Sequence, residues 1–68
     1  MMVINAESAQ DFVKAWAGAG PQRRMTMFEV AAAAMHANAI LSGDERPAMR
    51  ADYMAAERVL REAIVATR

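Results

Sequence analysis

The most reactive side chains in this 68-residue chain are a single histidine and a few hydroxyl groups. His36 is the only imidazole, and it follows Glu29 by seven residues in a segment of helix-forming composition. On a helix, these two side chains share a face but lie about two turns, or about 10 Å, apart. That separation is too large for the hydrogen-bonded pair that general acid–base catalysis would need.

Other groups suited to nucleophilic or metal chemistry are sparse. The chain has no cysteine, so disulfides and thiolate metal sites are excluded. It also lacks the Glu-x-x-His pairs that hold metals in di-metal carboxylate bundles. The hydroxyl groups are scattered: Ser8, Thr26, Ser42, Tyr53 and Thr67. We therefore predict a non-catalytic protein with no cofactor and no metal site.

The arginines are the candidates for an electrostatic binding surface. Eight basic and eight acidic side chains cancel, whereas nucleic-acid-binding proteins usually carry a positive excess. Arg23 and Arg24 are adjacent, and the C-terminal third adds Arg50, Arg58, Arg61 and Arg68. Asp52, Glu57 and Glu62 are interleaved with these, which indicates a solvated, salt-bridged face. A dimeric nucleic-acid-binding module that uses the arginine patches remains the alternative function.

Tryptophan, tyrosine and arginine are the residues most often found at protein–protein hot spots. On this basis we expect the partner-binding residues to be Trp16, Arg23, Arg24, Arg50, Tyr53 and Arg61. In a second interpretation, Trp16 covers the small core of the chain itself, because few other large side chains are present to do so.

Two sites that contain both glycine and proline divide the chain into three helices. They lie at residues 17–21 and 42–47, and glycine tends to end helices where proline begins them. The predicted helices span about 9–17, 21–41 and 45–67, with Ser8 and Asp44 as N-cap residues. The connection between the second and third helices is short, which predicts an antiparallel hairpin.

The start of the second helix has an alternative. Thr26 and Glu29 have capping-box spacing, which would begin the helix at Met27. A start at Pro21 gives the second and third helices nearly equal lengths, so that a hairpin buries both from end to end. We therefore favour Pro21, although arginines in a first turn oppose the helix dipole.

The second helix is apolar nearly all round. In residues 25–41 only Thr26, Glu29, His36 and Asn38 interrupt the apolar composition. Such a helix must be covered on most of its sides, and a chain of this size has little material to do so. We therefore predict a homodimer in which two hairpins form a four-helix bundle. Its expected core residues are Met27, Ala31, Ala34, Met35, Asn38 and Leu41.

The sequence thus predicts one all-α domain of a small cytoplasmic protein, without a signal peptide or a membrane span. The most suitable function class is regulation through binding to another protein, as an inhibitor or an anti-activator. The size and composition also suit a modulator encoded by a phage or a mobile element.

Overall fold

The computed structural model describes residues 3–66, and within them the only regular elements are three helices, with no strand. These are α1 (Ala6–Ala17), α2 (Pro21–Leu41) and α3 (Pro47–Ala66). The all-α prediction is confirmed. Both α1 and α2 make their main contacts with α3. Phe28, near the start of α2, shares a cleft with Ile64, near the end of α3, so α2 and α3 form an antiparallel hairpin.

Helix α1 begins three residues earlier than predicted. Ser8 is not its N-cap; Asn5 is, and the Asn5 Oδ1 atom accepts a hydrogen bond from the Ser8 amide at 2.7 Å. Both residue types are good caps. The earlier start lets the Ala6 amide donate to Asp52 Oδ1 of α3 at 3.0 Å. A carboxylate at this end of α1 also complements the helix dipole.

Helix α2 begins at Pro21, the earlier of the two starts considered. Gly20 precedes it in an extended conformation and makes no side-chain cap. Proline suits this first position, because its missing amide proton has no intrahelical partner there. Only residues 18–20 separate α1 from α2, so the C-terminal end of α1 lies beside the first turn of α2.

Helix α3 begins at Pro47, and Asp44 is not its N-cap. Asp44 instead organises the turn before the helix: its Oδ1 atom accepts a hydrogen bond from the Arg46 amide at 2.8 Å. Its Oδ2 atom lies 2.7 Å from the Arg46 guanidinium. The predicted end of this helix at Thr67, and Arg68, lie outside the described residues.

The core joins the three helices in one cluster. Apart from Val3, which precedes α1, its buried apolar residues come from the helices: Ala9, Phe12, Trp16, Met27, Ala31, Ala34, Ala56, Leu60 and Ile64. Alanines on α2 and α3 let the helix axes approach closely, whereas α1 supplies the aromatic bulk.

Candidate protein-binding surface

Helix α2 packs on the rest of the chain through one narrow face. Its buried residues are Met27, Ala31, Ala34 and Asn38, which recur in steps of four, three and four. Among the residues predicted to form the dimer core, these four are buried by the chain's own helices, and Met35 and Leu41 are half-buried. Their burial therefore requires no second copy. Any surface of α2 open to another chain lies on its opposite side.

That opposite side remains exposed and largely apolar. We call it the outer face of α2, and it consists of Met25, Glu29, Ala32, Ala33, His36 and Ile40. Met25 is 72% exposed and Ile40 is 67% exposed. Phe28 and Val30 flank this face with 46% and 41% exposure. Four large apolar side chains of one helix are thus between 41% and 72% exposed, a pattern typical of surfaces that bind other proteins.

The two polar groups of the outer face have no partners among residues 3–66. Neither the Glu29 carboxylate nor the His36 imidazole takes part in a hydrogen bond or an ion pair there. Their neighbours three and four positions away on the exposed side are uncharged: Met25, Thr26, Ala32, Ala33, Ala39 and Ile40. Each therefore keeps its full capacity to pair with a group on another chain.

An open cleft of about 450 Å³ adjoins the N-terminal end of this face. We call it the end cleft, and its lining residues are Trp16, Pro21, Arg24, Met25, Phe28, Glu29 and Ile64. All three helices contribute to it. Its walls are mostly apolar, and a cation and an anion lie at its margin, so it is suited to an apolar side chain with polar neighbours.

Arg24 fixes one wall of the end cleft. Its guanidinium carbon lies 5.0 Å from the centre of the Trp16 ring, within the range of a cation–π contact. Its Nε atom donates a hydrogen bond to the Trp16 carbonyl at 3.1 Å, at the C-terminal end of α1. A cation at that end complements the dipole of α1, which explains why α2 tolerates arginine in its own first turn.

The structure separates the six predicted partner-binding residues. Trp16 is buried, with only 6% of its surface exposed, and Arg24 is half-buried, whereas neighbouring Arg23 is exposed. At the other end of the molecule, Tyr53 is half-buried and the Arg50 guanidinium donates to the Asp44 carbonyl at 3.3 Å. Arg61 forms an ion pair with Glu57 one turn earlier on α3.

The arginines therefore do not form one basic surface. Four arginines have partners within the chain: Arg24, Arg46, Arg50 and Arg61.

Sequence reasoning missed Met25, Phe28 and Ile40 as exposed candidates. The 3.6-residue period could have identified them once the inward face was assigned, since they lie away from Met27 and Ala31 on a helical projection.

Within residues 3–66 no three histidine, aspartate or glutamate side chains are placed to hold a metal ion. No helix in that range combines the length and the apolar character required to cross a membrane. Comparison of the chain with protein-family models, with curated proteins and with solved structures finds no match.

Proposed function

We propose that this chain is a non-catalytic, cytoplasmic regulatory protein of the inhibitor or anti-activator type, which acts by binding other protein chains. We further propose that it is a homodimer whose two α2–α3 hairpins form a four-helix bundle, with the two α2 helices at its centre and each α3 on the outside. One observation carries the proposal: the side of α2 away from the core is exposed from Met25 to Ile40, and its apolar residues are interrupted only by Glu29 and His36. Monomeric soluble proteins rarely leave such a surface uncovered.

The proposal assigns the two surfaces to different chains. The outer face of α2 binds the second copy, and this contact includes Met25 and Glu29 on one side of the end cleft. The remainder of the cleft, around Phe28, receives an apolar side chain of the regulated protein. Phe28 is central to the second role, because it lines the cleft and remains 46% exposed. Aromatic residues beside a pocket are typical hot spots in protein interfaces.

Photocrosslinking in the source cell tests the binding of a regulated protein. A photoreactive amino acid replaces Phe28 in one variant and Ala51 in a control. Ala51 is exposed on α3 and lines no part of the end cleft. We expect the first variant to give discrete adducts heavier than a dimer of the 7.4 kDa chain, and the control to give none. Identical products from both positions would contradict a binding site at the cleft.

Sedimentation tests the homodimer. Ala33→Glu adds a charge to the outer face of α2, whereas Ala51→Glu adds the same charge to an exposed position of α3. Both sites are exposed on helices, so both variants should keep the wild-type helix content. We expect a dimer for the wild type and for Ala51→Glu, and a monomer for Ala33→Glu. A wild-type monomer at all concentrations would overturn this part of the proposal.

The salt dependence of binding distinguishes the alternative function. Binding to several phosphates weakens steeply as salt rises, while an apolar protein interface changes little. Association with RNA or DNA that disappears between low and moderate salt, and that requires exposed Arg23 and Arg58, would favour a nucleic-acid-binding module.

A further inference from the structure

We infer that the outer face of α2 binds the same face of a second copy in antiparallel orientation, with Glu29 of each copy opposite His36 of the other. This inference rests on the homodimer proposed above and specifies its geometry. It follows from the order of residues along the face, from the charges they carry and from the size of the side chains at its centre.

The outer face reads nearly the same in both directions about its midpoint. Ala32 and Ala33 occupy the centre, and Glu29 and His36 lie three residues beyond them on either side. Met25 and Ile40 lie four residues farther out. A two-fold axis through the midpoint therefore places acid opposite base and apolar opposite apolar, which is the self-complementarity that a symmetric dimer requires.

Charge distinguishes this orientation from the parallel one. In a parallel pair in register, each residue meets its own copy, so that Glu29 lies opposite Glu29 and His36 opposite His36. The two Glu29 carboxylates then repel each other, and neither of them meets a hydrogen-bond donor. In the antiparallel pair, the carboxylate of Glu29 accepts a hydrogen bond from the imidazole of the other copy. Two such contacts form, and both polar groups of the face acquire partners.

Side-chain size favours the same geometry. Ala32 and Ala33 carry single methyl groups at the centre, which permits interaxial distances near the lower end of the usual range of about 8–10 Å. The larger Met25 and Ile40 side chains lie at the two ends and cover the margins. The covered stretch of α2 is about 22 Å long, at about 1.5 Å per residue. The face on its own is narrow, so we expect a dimer that dissociates on dilution.

Single introduced cysteines test the orientation without interference from native thiols, because the chain has no cysteine of its own. Oxidation should link Ala33→Cys into a dimer, since two copies of this residue flank the axis within the Cα separation that disulfides need. Met25→Cys should not link to itself, because its two copies are about 22 Å apart. Met25→Cys mixed with Ile40→Cys should give the linked heterodimer. Ala51→Cys on α3 provides the background rate.

Charge variants test the Glu29–His36 contacts. Glu29→Lys sets a cation against the imidazole, and His36→Glu sets two carboxylates against each other. We expect each single change to weaken dimerisation about tenfold through its two symmetric contacts. The double variant Glu29→Lys/His36→Glu exchanges the positions of the acidic and the basic side chain, sets lysine opposite glutamate and should restore the wild-type dimerisation constant. Helix content measured by circular dichroism should be the same in all three, because both residues are exposed and neither side chain has a polar partner among residues 3–66.

The outcomes separate this inference from the proposed function. A wild-type monomer at millimolar concentration overturns both the inference and the homodimer. A dimer in which Met25→Cys links to its own copy, without Ile40→Cys, is parallel and overturns only the inference. If oxidation does not link the Ala33→Cys dimer and Glu29→Lys does not weaken dimerisation, the dimer uses another face. That result also overturns the inference and leaves the homodimer standing.

Discussion

Arg24 shows how one side chain connects two helices in a small core. It offers its charge to the C-terminal end of α1 and its planar face to Trp16, although it belongs to the first turn of α2. Each contact is modest on its own. Together they hold the junction of α1 and α2 in a chain whose α1–α2 contacts are otherwise few, because both helices pack mainly on α3.

Arg24→Met is therefore expected to lower the free energy of unfolding by about 1 kcal/mol, through loss of the hydrogen bond and of the ring contact. The free energy of unfolding of Arg24→Lys should lie between those of the wild type and Arg24→Met, since an ammonium group keeps the charge but not the planar guanidinium. Urea denaturation measures the change. The matched control is Arg23→Met, at the exposed neighbouring position, and equal losses for both methionine variants would contradict the role assigned to Arg24.

Asn38 is the one polar residue in the described core, and it has no exposed surface. Its backbone carbonyl accepts hydrogen bonds from the amide and the hydroxyl of Ser42 at 2.9 Å and 2.6 Å. Its side-chain amide has no hydrogen-bond partner among the described residues. A buried amide in this state lowers stability by about 1–3 kcal/mol relative to a satisfied one.

Removal of that amide should stabilise the fold. We expect Asn38→Ala to raise the free energy of unfolding by about 1 kcal/mol. The variant no longer bears the cost of burying an unpaired amide and has a better helix propensity, and these two gains outweigh the cost of a small cavity. Asn38→Asp keeps the shape and adds a buried charge, so it should destabilise the fold by several kcal/mol at pH 7. A large loss of stability in Asn38→Ala, measured by urea denaturation, would mean that the amide is hydrogen-bonded.

At the scale of elements, one carboxylate in the turn at residues 42–46, that of Asp44, accepts three hydrogen bonds from Arg46. The side-chain hydrogen bond from Arg46, reinforced by the Arg46 amide, lowers the pKa of Asp44 to about 2. A carboxyl group whose pKa is lower in the folded chain stabilises the fold when it is ionised. That contribution is complete above the ordinary aspartate pKa of about 4, and it is lost as the pH falls through about 2.

Asp44→Asn removes this contribution, so its effect should depend on pH. The melting temperature of the variant should lie below that of the wild type at pH 5, and the two should converge as the pH falls from 4 to 2. The control is Glu45→Gln, which removes an adjacent charge that takes part in no hydrogen bond among the described residues. A gap between Asp44→Asn and the wild type that stays constant down to pH 2 would contradict the role of the ionised carboxylate.

The elements themselves were largely readable from the sequence, and their facing directions were not. Gly20 and Pro21 mark the start of α2 because each residue type has a backbone preference suited to a helix boundary. The inward face of α2 leaves no such mark, because alanine and methionine occur on both of its sides. Only packing against α3 distinguishes Ala31 and Ala34, which are buried, from Ala32 and Ala33, which are exposed.

The predicted site residues differ from the exposed surface for a similar physical reason. Trp16 and Arg24 are hot-spot residue types, yet each has a partner within the chain, and residue type alone does not reveal such pairing. Asn5 and Ser8 are both good caps, and the hydrogen bond from the Ala6 amide to Asp52, which accompanies the earlier start, is a long-range contact absent from any local pattern.

At the scale of the whole molecule, stability and assembly should be a single equilibrium. A short α1 and two long helices enclose only one thin core, and the outer face of α2 stays in water unless a second copy covers it. A dimer that forms only from folded chains makes the melting temperature depend on protein concentration.

We expect the melting temperature to rise by about 4 °C for each tenfold increase in wild-type concentration, given the small unfolding entropy of a chain of this size. Ala33→Glu should melt at one temperature throughout, equal to the low-concentration limit of the wild type, whereas Ala51→Glu should keep the concentration dependence. Differential scanning calorimetry from about 10 µM to about 1 mM covers the range in which a narrow interface dissociates. A wild-type melting temperature that is constant across that range would show that the apolar side of α2 tolerates water without a second copy.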